Sequence, residues 1–461
     1  MLTPMPMELF SVPVGDHTLL YAPLHGFAAL VNSVALRDLT EKVRNPRQPA
    51  NPFSEEVYRL VSNAGLAPVS CMPASPLAPL FLGLITTRDC NMKCKYCDFA
   101  SAENHSLTMT YAVARSSVEA YFHHLMNAGR RRAEIQFFGG EPFHNNRIVE
   151  FTVAFAREQG RKHNLDVRFE VTTNGVVPAA RAQWIADNID AVVLSFDGSA
   201  DDQNDLRPLR GGKGSFEIVN QTAKILSQGR TELIVRVCVS DRVVDRLPEI
   251  AAWIAENYVC TTVCFEALVP SELSQQNGLY PPDPLVFAQN VLQASWLLDA
   301  YGIEAVTSGT DLSRLQTSFC PLGKDALIVN PSGEINACYL LEEDWKKEGL
   351  DLQFGQVLTG PDGQGRLSID RNALDSVRAF AQSKSGLCDA CFCKHHCAGG
   401  CHVNHRAIHQ AQTPNAVCIQ TRAITIGRIL KKLGLEDACR HWLDDPEEVL
   451  NTVNQKSFFL L

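Results

Sequence analysis

The stretch LFLGLITTRDCNMKCKYC, residues 80–97, runs a short apolar segment into three cysteines, Cys90, Cys94 and Cys97, spaced CxxxCxxC. The apolar run has the length and continuity of a strand covered on both faces. Outward from it the same strand-then-loop pattern recurs. AEIQFFGGEP, VRFEVTTNG, DAVVLSFDG, ELIVRVCVS and TTVCFEAL each read as a strand, which makes six, with helical segments between them. One of those segments, YAVARSSVEAYFHHLMNAG, carries Val118, Tyr121, Phe122, Leu125 and Met126 as the apolar stripe of a helix packed on a sheet. Strands alternating with helices predict parallel βαβ units. In such folds functional groups collect beyond the C-terminal ends of the strands. Here CNMKCKYC, GGEP, TTNG and SFDG each follow a strand directly.

Three cysteines are one short of a structural zinc site, which takes four protein ligands. A [4Fe–4S] cluster has four irons to satisfy, so three thiolates leave one iron open to a substrate or cofactor. The spacing therefore points to an iron–sulfur cluster with one iron available for chemistry.

The CxxxCxxC, with Tyr96 before its third cysteine, resembles the radical S-adenosylmethionine (SAM) enzymes over about residues 80–300. The resemblance implies a partial (β/α)6 TIM-like barrel and a SAM molecule chelated at the open iron. It also implies cleavage of SAM to a 5′-deoxyadenosyl radical that abstracts hydrogen from substrate. Gly139, Gly140, Glu141 and Pro142 look like the family's GGEP, which hydrogen-bonds the SAM amino group. Thr173-Asn174-Gly175 and Ser195-Phe196-Asp197-Gly198 match strand-end segments lining the SAM pocket, with Asn174 and Ser195 as contacts.

A second group of cysteines lies further on: Cys320, Cys338 (five residues after Gly333), Cys388, Cys391, Cys397, Cys401 and Cys418. Repeated CxxC is a metal signal, and two zincs would want eight ligands. The order resembles the SPASM domain, an extension of radical SAM enzymes holding two auxiliary [4Fe–4S] clusters, over about residues 310–420. By that resemblance Cys388, Cys391, Cys397 and Cys418 hold the outer cluster, and Cys320, Cys338 and Cys401 the inner one. The fourth inner ligand is open: Cys393, a histidine such as His402, or a vacant position that a substrate thiolate could take. Cys71, Cys238, Cys260, Cys264 and Cys439 read as packed core thiols. His395, His396 and His405 crowd the cluster segment, where a supporting role fits.

The remaining chain bounds the function. The 461 residues, 45% of them hydrophobic, suffice for about three domains. A net charge of −9 gives no footprint for nucleic acid or an anionic membrane. The run Arg130–Arg132 reads as a solvated helix end. No apolar run reaches membrane-spanning length, and no Lys or Arg precedes Arg37, so the expected location is the cytoplasm. There, clustered cysteines among the total of 16 hold metal more often than disulfides.

Residues 1–66 read as a small α+β unit. HTLLYAPL and FAALVN form a hairpin, SVALRDLTEKV a helix, and SEEVYRLVSNAG a helix capped by Ser54 and stopped at Gly65. Such a unit suits gripping a leader peptide by strand addition, or simply capping the barrel's edge. Residues 421–461 read as a helical tail.

The SPASM resemblance implies a precursor peptide or protein as substrate and an external electron donor such as ferredoxin or flavodoxin. Two outcomes compete: modification of a ribosomally made peptide by a thioether or carbon–carbon crosslink or another change, and oxidation of a sulfatase residue to formylglycine. Sulfatase maturases carry an aspartate base after the GX4C cysteine. This chain has Tyr339 there, a poor base at neutral pH, which argues for the peptide. Glu342, Glu343, Asp344 and Asp325 remain as possible bases. A non-catalytic electron-transfer protein is a third reading, although electron transfer needs no open iron.

Overall fold

The computed structural model describes residues 8–63, 77, 79–97, 107–322, 326–347, 349–384, 386–403 and 413–459. Gly65, Cys71, Asp325 and His405 lie outside the described residues.

Near the N-terminus β1 (Phe10–Val14), β2 (His17–Ala22) and β3 (Phe27–Val31) form an antiparallel sheet in that order. Gly26, at φ 62°, turns the chain between β2 and β3. Helices Ser33–Arg44 and Pro52–Ser62 follow. The second starts earlier than its sequence suggests. Asn51, not Ser54, is its cap, accepting from the Ser54 N–H at 2.9 Å, and Pro52 occupies the first turn where no N–H is needed.

The main sheet is mostly parallel. It contains β4 (Phe81–Ile85), β5 (Arg132–Phe138), β6 (Asp166–Thr173), β7 (Ala191–Ser195), β8 (Glu232–Val239), β9 (Thr262–Ala267) and a short β10 (Glu304–Val306). On this side of β4 the parallel run therefore has one strand, β10, more than the six that the sequence suggests. β10 is only three residues long and too short for a hydrophobic pattern to reveal. On its other side β4 pairs in parallel with β11 (Ala326–Val329). An antiparallel series continues through β12 (Glu334–Asn336), β13 (Gln353–Thr359) and β14 (Gly365–Ile369). The cysteine-rich segment thus extends the same eleven-stranded sheet.

Alternation along the strands separates two faces. Leu82, Leu84, Ile135, Phe137, Phe169, Val171, Leu194, Val235, Val237, Val263 and Phe265 are buried in the main core. Their neighbours Gln136, Glu170, Ser195, Arg236, Cys238, Cys264 and Glu266 point the other way and are less covered. Parallel strands covered on both faces by apolar groups show no such alternation. The second face is polar and positions the candidate site.

The N-terminal sheet packs on the cysteine-rich segment and the chain's end. The Ser11 N–H donates to Phe458 O at 2.7 Å, and the Phe458 N–H to Ala390 O at 3.0 Å. Buried Glu8 takes His395 Nε2 at 2.7 Å and pairs with Lys394. The Tyr21 hydroxyl meets His396 Nε2 at 2.5 Å, while His396 Nδ1 faces Arg314 O at 3.1 Å. Burial holds His396 below its ordinary range, so it is neutral. Nδ1–H then donates to the carbonyl and Nε2 accepts from Tyr21. His395 and His396 therefore join the N-terminal sheet to the cysteine segment. Among the described residues no helix is long and apolar enough to cross a membrane.

Candidate functional site

The 90–97 loop is held where β4 ends. The Gly140 N–H donates to Thr87 O at 3.0 Å and the Glu141 N–H to Asp89 O at 2.8 Å. This contact explains both glycines. A Cβ on Gly139, whose φ is 149°, would lie 2.4 Å from Thr87 O, and one on Gly140 would lie 2.3 Å from Asp89 O. No side chain fits between the two strand ends. Further along, the Lys93 N–H donates to Pro208 O and the Lys95 N–H to Leu206 O, at 2.8 and 3.0 Å.

Asn174 ties three motifs together. Its Nδ2 donates to Asn91 Oδ1 at 2.8 Å and approaches Cys90 Sγ at 3.4 Å, and its backbone N–H donates to Glu141 Oε2 at 2.7 Å. Glu141 Oε1 accepts from Thr173 Oγ1 at 2.9 Å and from the Phe143 N–H at 3.0 Å. Pro142 begins the short turn after Glu141. Ser195 ends β7, partly buried, on the polar face.

Glu141 is buried with no cation paired to it among the described residues, and burial outweighs its three hydrogen bonds and raises its pKa to about 7. A folded-state value above the ordinary 4.5 means that the unfolded chain loses this proton first as pH rises. The contribution is fully present below 4.5 and is lost by about 7. We expect Glu141→Gln to flatten the decline of the unfolding midpoint over that pH window, read by thermal scans.

The three thiols feel one another's charge. Burial, then Glu141, pushes Cys90 up to about 11, and burial pushes Cys94 higher still. A buried thiol in such surroundings stays protonated unless a cation replaces the proton. The donor set therefore suits a metal group. A cavity of about 200 Å³ opens beside Cys94 and Cys97, bounded by Lys93, Lys95, Pro208, Leu273 and Asn277.

A buried ion pair missing from the sequence reading supports this loop. Asp197 Oδ2 accepts from Arg207 Nε at 2.8 Å and from the Tyr96 hydroxyl, while Oδ1 accepts from the Cys238 N–H at 3.1 Å. The Arg207 guanidinium stacks 5.3 Å from the Tyr96 ring. Only the SFDG match hinted at Asp197. Nothing local marks Arg207, ten residues later. Cys260 and Cys439 are buried in the apolar core and Cys238, partly buried, packs against it, as the sequence suggests; Cys264 lies on the polar face instead.

The later cysteines form two groups. Cys320, Cys338 and Cys401 interact electrostatically with one another. Cys388, Cys391, Cys397 and Cys418 surround a cavity of about 30 Å³. Cys393 lines that same cavity, so it stands with this group rather than with Cys320 and Cys338. His402 turns its Nε2 to Ala381 O at 2.7 Å. Among the described residues, no three His, Cys, Asp or Glu side chains converge tightly enough for a single metal ion.

Tyr339 reaches from beside Cys338 to β5. Its hydroxyl donates to Gln136 Oε1 at 3.0 Å, and its ring lies 4.7 Å from that of Phe138. Gly83 makes room, since a Cβ there would lie 2.4 Å from the hydroxyl. Burial holds the phenol well above its ordinary pKa. Glu342 accepts from Asn330 Nδ2 at 2.7 Å, as a turn-holding residue does.

Comparison with known proteins agrees with this geometry. Residues 84–253 match the Radical SAM superfamily. The chain carries a radical SAM domain. The mycofactocin maturase MftC of Mycolicibacterium smegmatis is 26% identical over 345 residues, covering 70% of this chain and 78% of that protein. A cysteine-type anaerobic sulfatase-maturating enzyme of Clostridium perfringens is 25% identical over 212 residues, 44% of this chain and 56% of that protein. The solved structure of native anSMEcpe with bound AdoMet aligns with a TM-score of 0.59 at 18% identity, covering 78% of this chain and all of that one. The radical SAM domain thus begins in β4 and includes the cysteine loop, GGEP, TTNG and SFDG.

Proposed function

We propose that this radical SAM enzyme modifies a ribosomally made precursor peptide, with β4–β10 read as a partial barrel and residues 310–420 as a SPASM-type domain. The observation that carries the reading is the bonding of Asn174 to Cys90, Asn91 and Glu141, which gathers three strand ends around the cysteine loop. Cys90, Cys94 and Cys97 would hold a [4Fe–4S] cluster with an open iron for SAM. Cys388, Cys391, Cys397 and Cys418 would hold an outer auxiliary cluster. Cys320, Cys338 and Cys401 would hold an inner one with a position left for substrate, since Cys393 stands with the outer group. Such a cluster would supply reductive cleavage of SAM: one electron from a donor such as ferredoxin or flavodoxin would release methionine and a 5′-deoxyadenosyl radical able to take hydrogen from substrate.

The chain's own residues bind and orient. Gly139–Pro142 offers backbone groups to the SAM amino group at the end of β5. Ser195 and Arg236 are level with each other on adjacent strands of the polar face. Arg236 supplies a cation suited to the SAM carboxylate. The Asp197–Arg207–Tyr96 contacts fix the third cysteine's approach.

β3 is the outer strand of the N-terminal sheet, and among the described residues nothing pairs with its far edge. An extended leader segment would add there by main-chain hydrogen bonds. The sulfatase-maturating alternative rests on the likeness to the Clostridium enzyme. Against it stands Tyr339, whose hydroxyl is committed to Gln136 and whose pKa is raised, where a base would be required.

The test uses peptides deuterated at the reactive carbons. A short peptide encoded beside this gene is expected to pass deuterium into 5′-deoxyadenosine, while a sulfatase-derived cysteine peptide passes none. The reverse result would make this a sulfatase maturase.

A further inference from the structure

Arg422 lies on the helix Ala416–Lys432, one turn beyond Cys418, and is 2% exposed. Its Nη1 donates to Val453 O at 2.6 Å and Gln455 O at 2.9 Å, and its guanidinium carbon stands 5.0 Å from the centre of the Phe458 ring. No carboxylate pairs with it among the described residues. Its Nε is buried and finds no hydrogen-bond partner among those residues. What faces the guanidinium is sulfur: Cys391, Cys393 and Cys418 line the same cavity and interact with it electrostatically. It also lines the cavity that Cys388 and Cys397 share.

An uncompensated buried guanidinium costs several kcal/mol in a core. Such a cation persists where an anion is to be met. A carbonyl pair alone leaves Nε and the full charge unanswered.

We propose that Arg422 is a positioning residue for the cysteine group at 388–418, holding a fixed positive charge and N–H donors against its sulfurs while tying the chain's last turn to them. The inference rests on the reading that these cysteines hold an iron–sulfur cluster. Net charge and hydrogen bonds to sulfur set the potential of such a cluster. A nearby cation favours the reduced, more negative form, so Arg422 raises the potential. Its two carbonyl bonds also give residues 453–455, and through them the stacked Phe458, a direct mechanical link to the site.

The test uses the full chain, reconstituted anaerobically, with Cys90, Cys94 and Cys97 all replaced by alanine so that only C-terminal iron contributes. Potentiometric titration followed by electron paramagnetic resonance compares this parent with Arg422→Gln and Arg422→Lys, and iron is counted in each. With iron unchanged, Arg422→Gln is expected to make one reduction about tenfold less favourable, a downward shift of about 59 mV for one electron. Arg422→Lys keeps the charge but loses the fork, so its shift is smaller. An unmoved midpoint in Arg422→Gln at full iron content overturns the proposal. Where Arg422→Gln does not fold, Arg422→Lys decides, and an unmoved midpoint there overturns it equally. Cys388→Ala separates the two ideas: if that variant keeps all the parent's iron, the cluster reading itself is wrong.

Discussion

Replacing Cys90, Cys94 or Cys97 with alanine is expected to remove about four irons per chain, the content of one [4Fe–4S] cluster, and to leave the iron bound by the C-terminal cysteines in place. The separation follows from the geometry. The 90–97 loop is bonded to Asn174 and to residues 206 and 208, while Cys320, Cys338 and Cys401 interact with one another and Cys397 interacts with Cys388, Cys391 and Cys418. The three thiols of the loop interact with one another, so the loss of one leaves two of the proposed ligands. Colorimetric iron analysis of the reconstituted variants reads the outcome. Loss of all iron from any one variant would mean that the three groups are not independent.

Asp197→Ala is expected to destabilise the chain by about 3–5 kcal/mol, because it leaves a buried guanidinium without its counter-charge. Asp197 is fully buried and the Arg207 side chain is 11% exposed, so water cannot take over the lost contact. The same change frees the Tyr96 hydroxyl and the Cys238 N–H. Denaturant titration of the variant against the parent measures the loss. Asp197→Ala combined with Arg207→Met should cost less than Asp197→Ala alone, since no charge is then stranded. Equal losses would show that Asp197 acts through something other than Arg207.

Much of this site is readable from residue order. Each parallel strand from β4 to β9 shows an apolar run, and the motifs after β4, β5, β6 and β7 lie where strand-end groups belong. What could not be read depends on contacts distant in sequence. β11 is four residues long, and only its pairing with β4, some 240 positions earlier, makes it part of the main sheet. The roles of Gly139 and Gly140 become physical only once the carbonyls of Thr87 and Asp89 are seen against them. Arg207 and Arg422 look like surface arginines in sequence, yet each is buried beside a cysteine group. Cys393 shows the limit from the other side. Its spacing allowed it to serve the inner group, and only its place in the fold sets it with Cys391 and Cys397.

The most direct measurement is SAM cleavage by the anaerobically reconstituted chain. Wild type and Cys97→Ala, each with SAM, dithionite and the candidate peptide, are assayed for 5′-deoxyadenosine by mass spectrometry, with iron determined on the same samples. Formation of 5′-deoxyadenosine by wild type and none by Cys97→Ala is the result predicted. Full iron in wild type with no 5′-deoxyadenosine, peptide present, would contradict a SAM-cleaving centre and leave an electron-transfer protein.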